Sequence, residues 1–132
     1  MTDRRFELAL GSFEKALSRL HEVLAENETE IVRDALIQRF EFTFEMAWKA
    51  MYRWLLARGA LVSEEAFAVL PRAFANRLVL NEEAWTELRK SRNLTAHTYK
   101  EALAIEVAAL VRTRGVALFD ELLGTLKARA DE

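Results

Sequence analysis

The sequence predicts an all-α protein, an up-and-down bundle of four to five helices forming one domain over residues 1–132. Three observations carry that prediction. A single Pro and four Gly stand in 132 residues, so obligate chain breakers are scarce. Ala, Leu, Glu and Arg, all good helix formers, dominate the composition. Apolar residues recur at steps of three and four along most of the chain, the period of a helix that buries one face.

Phe6, Ala9, Leu10, Phe13, Leu17, Leu20 and Leu24 form one stripe, predicting a first helix that ends near Glu26. Asn27 followed by Glu30 reads as a capping box opening a second helix. Its stripe runs through Ile31, Ala35, Phe40, Phe44, Trp48, Met51 and Leu55, and Gly59 closes it as a left-handed cap. Phe42, Met46 and Trp54 fall outside that stripe, so this helix is expected to bury more than one face, by being central and by pairing with a second chain. Ser63, followed by Glu64 and Glu65, predicts the N-cap of a shorter third helix carrying Phe67, Leu70, Phe74 and Leu78, which Pro71 should kink or break. Asn81 before Glu82 and Glu83 opens a fourth helix through Trp85 and Leu88 to about Arg92. Thr98 with Glu101 reads as a capping box for a long fifth helix from about Tyr99 to Lys127. Leu103, Val107, Leu110, Leu118 and Leu122 lie on one side of it. Ile105, Val116, Phe119, Leu123 and Leu126 lie on another, an arc wide enough to suggest a dimer surface. No repeat, low-complexity tract or linker divides the chain.

Composition removes several function classes. Lys and Arg number 19 against 21 Asp and Glu, a net charge of -2, so nothing global attracts nucleic acid or an anionic membrane and any RNA contact must be local. Without cysteine there are no disulfides, thiolate metal sites or thiol nucleophiles. The start, Met1 to Glu7, carries acidic residues where an export signal needs an apolar run, and no stretch reaches the roughly 20 apolar residues of a membrane span. A cytoplasmic protein with no membrane contact is expected.

Two histidines, His21 and His97, lack a second ligand at metal-site spacing, glycines are too few for a phosphate loop, and there is no Gly-x-Ser-x-Gly elbow. No metal site and no cofactor are expected. Helix capping explains the paired carboxylates Glu64-Glu65 and Glu82-Glu83, and His21 reads as a surface residue on the first helix. The run Arg92-Asn93-Leu94-Thr95-Ala96-His97-Thr98-Tyr99 differs, joining a guanidinium, an imidazole, two threonines and a phenol at a helix junction. In one unbroken helix Arg92 and His97 would point roughly 140° apart, so a shared site needs a helix end between them or a two-fold partner. A guanidinium can clamp a phosphate and stabilise a phosphorane, while an imidazole can carry protons to or from ribose and leaving-group oxygens. Arg89, Lys90, Arg92 and Lys100 form a local basic patch for a phosphate backbone. A structural reading stands beside this one: Arg92 pairs with a carboxylate such as Glu87, His97 caps a carbonyl and Tyr99 anchors a loop. The aromatic run Phe40, Phe42, Phe44, Trp48, Tyr52 and Trp54 reads as core and interface rather than a base-stacking platform.

The Arg, four residues, His, one residue, Tyr pattern from Arg92 to Tyr99 resembles the signature of the HEPN superfamily, and in particular its nucleotidyltransferase substrate-binding branch. The block Arg39-Phe40-Glu41-Phe42-Thr43-Phe44-Glu45-Met46-Ala47-Trp48-Lys49 resembles that branch's second helix, and similarity in pattern extends over nearly the whole chain. Ser91 stands where an acidic residue often precedes the motif arginine, and Lys100 where an acidic or polar residue is common. The resemblance implies a HEPN-like homodimer and a partner, a minimal nucleotidyltransferase encoded nearby. Two functions follow from it. As an enzyme the chain would be a metal-independent endoribonuclease toxin with Arg92 and His97 of both subunits facing a two-fold cleft. As a binding module it would present nucleotide or substrate to the nucleotidyltransferase and cleave nothing. The resemblance further implies Tyr99 as an AMP acceptor or site-lining residue. Asn93 and Thr95, inside the motif, are expected to join Arg89, Lys90 and Lys100 as RNA or nucleotide contacts.

Overall fold

The computed structural model describes residues 3–132; Met1 and Thr2, where the segment read for an export signal begins, lie outside the described residues. In order the chain forms α1 (Arg4–Leu24), α2 (Glu30–Ala57), α3 (Ala66–Ala75) and α4 (Glu82–Leu94), then a 3-10 turn (Thr95–His97). A C-terminal rod follows, made of α5 (Glu101–Leu110), a π-helical turn (Val111–Gly115) and α6 (Val116–Ala128). No strand occurs among the described residues, and none of their helices is long and apolar enough to cross a membrane.

Side-chain pairing fixes the topology. Thr43 Oγ1 donates to the Ala16 carbonyl and Arg39 to that of Arg19, so α1 and α2 run antiparallel. His21 meets Asp120 at 2.7 Å and Lys127 pairs with Glu14, so α6 is antiparallel to α1 as well. His21 is thus the surface residue its position implied. Phe119 lies at the centre, its ring 6.2 Å from Phe13, 6.2 Å from Phe40 and 5.7 Å from Trp85. Burying such a ring contributes about 1.5–3 kcal/mol from area alone. Trp54 closes one end, between the guanidinium carbons of Arg58 at 3.7 Å and Arg129 at 4.7 Å, and its indole donates to the Arg129 carbonyl.

Several helix ends differ from expectation. The N-cap of α2 is Thr29, whose hydroxyl accepts from Val32 N, because a cap must immediately precede the first helical residue and Asn27 stands too far out. Glu65, not Ser63, precedes α3, and no side chain caps it. Pro71 is exposed and α3 runs through it, solvent being able to serve the carbonyl that the ring leaves without a donor. α3 buries Val69, Leu70 and Ala73, while Phe67 and Phe74 face out. Asn81 caps α4 as expected, accepting from Ala84 N. Gly59, at φ 81°, ends α2 with Ala60 N bonded to Leu55 O and Gly59 N to Leu56 O.

The long last helix spans nearly the expected residues, as one continuous rod over 101–128, but its cap and its middle differ from expectation. Thr98 does not cap it: its hydroxyl turns back to the Thr95 carbonyl, and Lys100 precedes α5 without a side-chain cap. The rod then carries a π turn, although Leu110, Val111, Gly115 and Val116 all keep right-handed helical dihedrals. Gly115 is buried there, and a Cβ on it would stand 3.1 Å from Leu88 Cδ1, so glycine lets α4 lie close to the rod. α2 is central, with buried residues from Leu36 to Leu55, but Ile31 is 82 % and Phe42 55 % exposed.

Candidate functional site

α4 ends at Leu94, between Arg92 and His97, as a shared site requires. Arg92 is held from three directions. Its Nη1 donates to Thr95 Oγ1 at 3.0 Å and lies 3.4 Å from Glu41 Oε2, while its Nε lies 3.4 Å from Glu45 Oε1 without forming a hydrogen bond. Thr95, only 7 % exposed, donates its own proton to the Arg92 carbonyl at 2.7 Å. The threonine hydroxyl therefore locks both ends of the arginine, and the 3-10 turn is tightened by Thr98 onto the Thr95 carbonyl. Glu45 is itself oriented, accepting from Trp48 Nε1 at 3.1 Å. Glu87, the carboxylate considered for Arg92, pairs with Arg114 instead.

Glu41 and Glu45 are the site residues that sequence reasoning did not single out. Their spacing of four sets both carboxylates on one face of α2, a signal readable once that helix is known to lie against α4.

His97 behaves differently. Its imidazole makes no hydrogen bond or ion pair among the described residues and is exposed; its ring meets only that of Tyr99, edge-on with centroids 6.2 Å apart. Tyr99 is 78 % exposed, so it anchors nothing in the core. No contact joins Arg92 to His97 within the described chain. Arg92 lines two shallow clefts. One, of about 280 Å³, adds Arg89, Asn93, Glu45 and Phe67. The other, of about 240 Å³, adds Gln38, Glu41, Phe42 and Glu45. Lys90 and Lys100 are exposed beyond both clefts.

The model of the family described as nucleotidyltransferase substrate binding protein like matches residues 8–128. The chain belongs to that family. The substrate-binding branch resembled by the Arg92–Tyr99 motif is therefore the right one, and further similarities agree. A probable ribonuclease HepT of Haemophilus influenzae (strain Rd) is 32 % identical over 93 residues, a match spanning 64 % of this chain and 63 % of that protein, under two thirds of its length. A crystal structure from Thermus thermophilus superposes with a TM-score of 0.79 at 33 % identity, covering 87 % of this chain and 98 % of the other. HI0074 of Haemophilus influenzae, described as revealing the fold of a substrate binding domain of a nucleotidyltransferase, superposes with a TM-score of 0.67 at 24 % identity. It covers 92 % of this family member and 96 % of its own chain and supports the fold alone.

Proposed function

We propose that this chain is the HEPN-type partner of a minimal nucleotidyltransferase and acts in the cytoplasm, as a homodimer, as a metal-independent endoribonuclease toxin that the partner neutralises. The observation that carries the reading is the contrast within the motif: Arg92 is fixed in orientation by Thr95, Glu41 and Glu45, while the His97 imidazole is exposed and uncommitted. A fixed guanidinium suits charge stabilisation, and an uncommitted imidazole suits proton transfer. The ribose 2′-hydroxyl gives up its proton as its oxygen attacks the adjacent phosphorus, Arg92 stabilises the phosphorane, and the P–O5′ bond breaks as the 5′-oxygen takes up a proton, giving a 2′,3′-cyclic phosphate and a 5′-hydroxyl. His97 moves one of those protons. Because no contact links Arg92 to His97 among the described residues, in this reading the site is completed across a two-fold axis. Asn93 and Arg89 flank the scissile phosphate, Lys90 and Lys100 attract the strand, and Thr95 positions Arg92. Purified protein incubated with RNA and a chelator tests this; cyclic-phosphate ends are expected, and intact RNA would overturn it. Light scattering at micromolar concentration reads the dimer, against the chain mass of 15.2 kDa.

A second reading, a non-catalytic nucleotide- or substrate-binding subunit, is favoured by the two carboxylates beside Arg92, which offset the charge a phosphate would seek. The exposure of Tyr99 supports a mode of neutralisation under the first reading. The phenol oxygen attacks the α-phosphorus of ATP, its proton is lost to solvent, pyrophosphate leaves, and the AMP that remains screens the site from RNA by charge and bulk. Intact mass after incubation with the nucleotidyltransferase, ATP and magnesium should show one adenylyl group on the wild type and none on Tyr99→Phe; equal incorporation would remove Tyr99 as the acceptor.

A further inference from the structure

A basic concavity adjoins one of the clefts that Arg92 lines. It is a groove of about 310 Å³ between α1 and α2. On the α1 side Lys15, Ala16 and Arg19 line it, and on the α2 side Ala35, Gln38, Arg39 and Phe42. Both sets follow the three- and four-residue steps of one helix face. Ala16 and Ala35 are among its lining residues and stop at Cβ, so a longer side chain at either place would take up part of the groove. Arg39 is committed to the wall, its Nη1 donating to the Arg19 carbonyl at 2.6 Å and lying 3.5 Å from Glu22. Lys15 and Arg19 are exposed and have no ion-pair partner among the described residues. No Asp or Glu lines the groove, in a chain whose net charge is -2.

Phe42 gives the groove its second chemistry. It is 55 % exposed, too large an aromatic surface to leave in water without cost, and with Gln38 it also lines the 240 Å³ cleft that Arg92 shares. Groove and cleft are therefore contiguous over those two side chains. Unpaired cations beside an exposed aromatic face match one repeating ligand unit, a phosphate with a flat base.

We propose that the α1–α2 groove binds the RNA strand next to the scissile phosphate, with Lys15 and Arg19 on the backbone, Phe42 stacked on a base and Gln38 on that base's edge. This rests on the ribonuclease reading, which it deepens by giving the strand a track away from Arg92. It also assigns to Phe42 a base-stacking role that its place in the aromatic run did not suggest.

The test measures binding apart from cleavage. A labelled single-stranded RNA is titrated by anisotropy against chains carrying His97→Ala, alone or with Lys15→Ala/Arg19→Ala, Phe42→Ala or Ala35→Leu. Phe42→Ala should weaken binding about tenfold. The double cation variant should lower the slope of log affinity against log salt by about 1.4, at roughly 0.7 per single-strand phosphate contact. Ala35→Leu, which adds bulk at a half-buried position, should weaken binding by filling the groove. Arg4→Ala/Arg5→Ala removes the same charge elsewhere and should change little. Equal losses from both double variants would overturn the groove, as would wild-type binding by all three groove variants. AMP binding as tightly as the RNA would overturn the strand in favour of a free nucleotide. Groove variants that lose binding together with their oligomeric mass would reassign the face to a chain interface and overturn the proposal. If wild-type protein leaves RNA uncut yet the groove variants lose RNA binding, the cleavage reading falls and the groove stands.

Discussion

Thr95→Val exchanges a hydroxyl for a methyl of nearly the same shape at a position only 7 % exposed, so it isolates the clamp on Arg92. Two hydrogen bonds disappear: the one from Arg92 Nη1 at 3.0 Å and the one to the Arg92 carbonyl at 2.7 Å. A neutral bond is worth about 1 kcal/mol net and a bond to a charged group about 1.5–3 kcal/mol. Glu41 and Glu45 still face the guanidinium at 3.4 Å, which recovers part of the second term, and the new buried methyl returns at most about 0.8 kcal/mol. The expected loss is about 2 kcal/mol. For a domain of this size that is a fall of about 6–8 °C in Tm, at roughly 3–4 °C per kcal/mol. Freed from one anchor, the guanidinium should also lose transition-state alignment, lowering the rate of RNA cleavage about tenfold or more at saturating RNA. Thermal melts and single-turnover cleavage, run beside Thr95→Ser, read both effects. Serine keeps the hydroxyl and should stay within about 1 kcal/mol of wild type. A valine variant as stable and active as wild type, or a serine variant as damaged as valine, would refute the clamp.

Phe119→Ala removes the ring that Phe13, Phe40 and Trp85 surround and should cost about 3–5 kcal/mol by chemical denaturation, with Leu in its place costing much less. Glu28 gives a pH dependence. Burial works against its charge, but hydrogen bonds from Arg112 and Arg33 outweigh this and hold the carboxyl below the usual range. A depressed folded-state value means stability present above the unfolded pKa of about 4.3 and lost as pH falls through the folded one. Glu28→Gln should therefore lower Tm at neutral pH, with the difference from wild type shrinking under acid; a pH-independent difference would remove the ion pairs as its cause.

Much of this architecture was readable because helical periodicity and Asn81, Gly59 and the Arg92–Tyr99 junction are local signals. α4 starts and α2 ends where those residues indicate, and the chain breaks between Arg92 and His97. Thr98 misled because a hydroxyl three residues after a carbonyl can turn backwards as easily as cap forwards, and here Thr95 O took it. The π turn has no signal in hydrophobic pattern, which the flanking turns continue unbroken. Glu41 and Glu45 were invisible as Arg92 partners because their approach depends on α2 crossing α4, a tertiary choice that spacing alone leaves open. The α1–α2 groove was equally hidden, because its lining residues come together only after the two helices pack antiparallel.

In the proposed reaction His97 transfers a proton during RNA cleavage while Arg92 stabilises the phosphorane. Single-turnover cleavage of one RNA with chelator present, comparing wild type with His97→Ala at matched thermal stability, tests it most directly. A rate lower by about 10² to 10⁴ is expected, with RNA affinity nearly unchanged. Equal rates for the two proteins would contradict it and leave this chain a binding subunit.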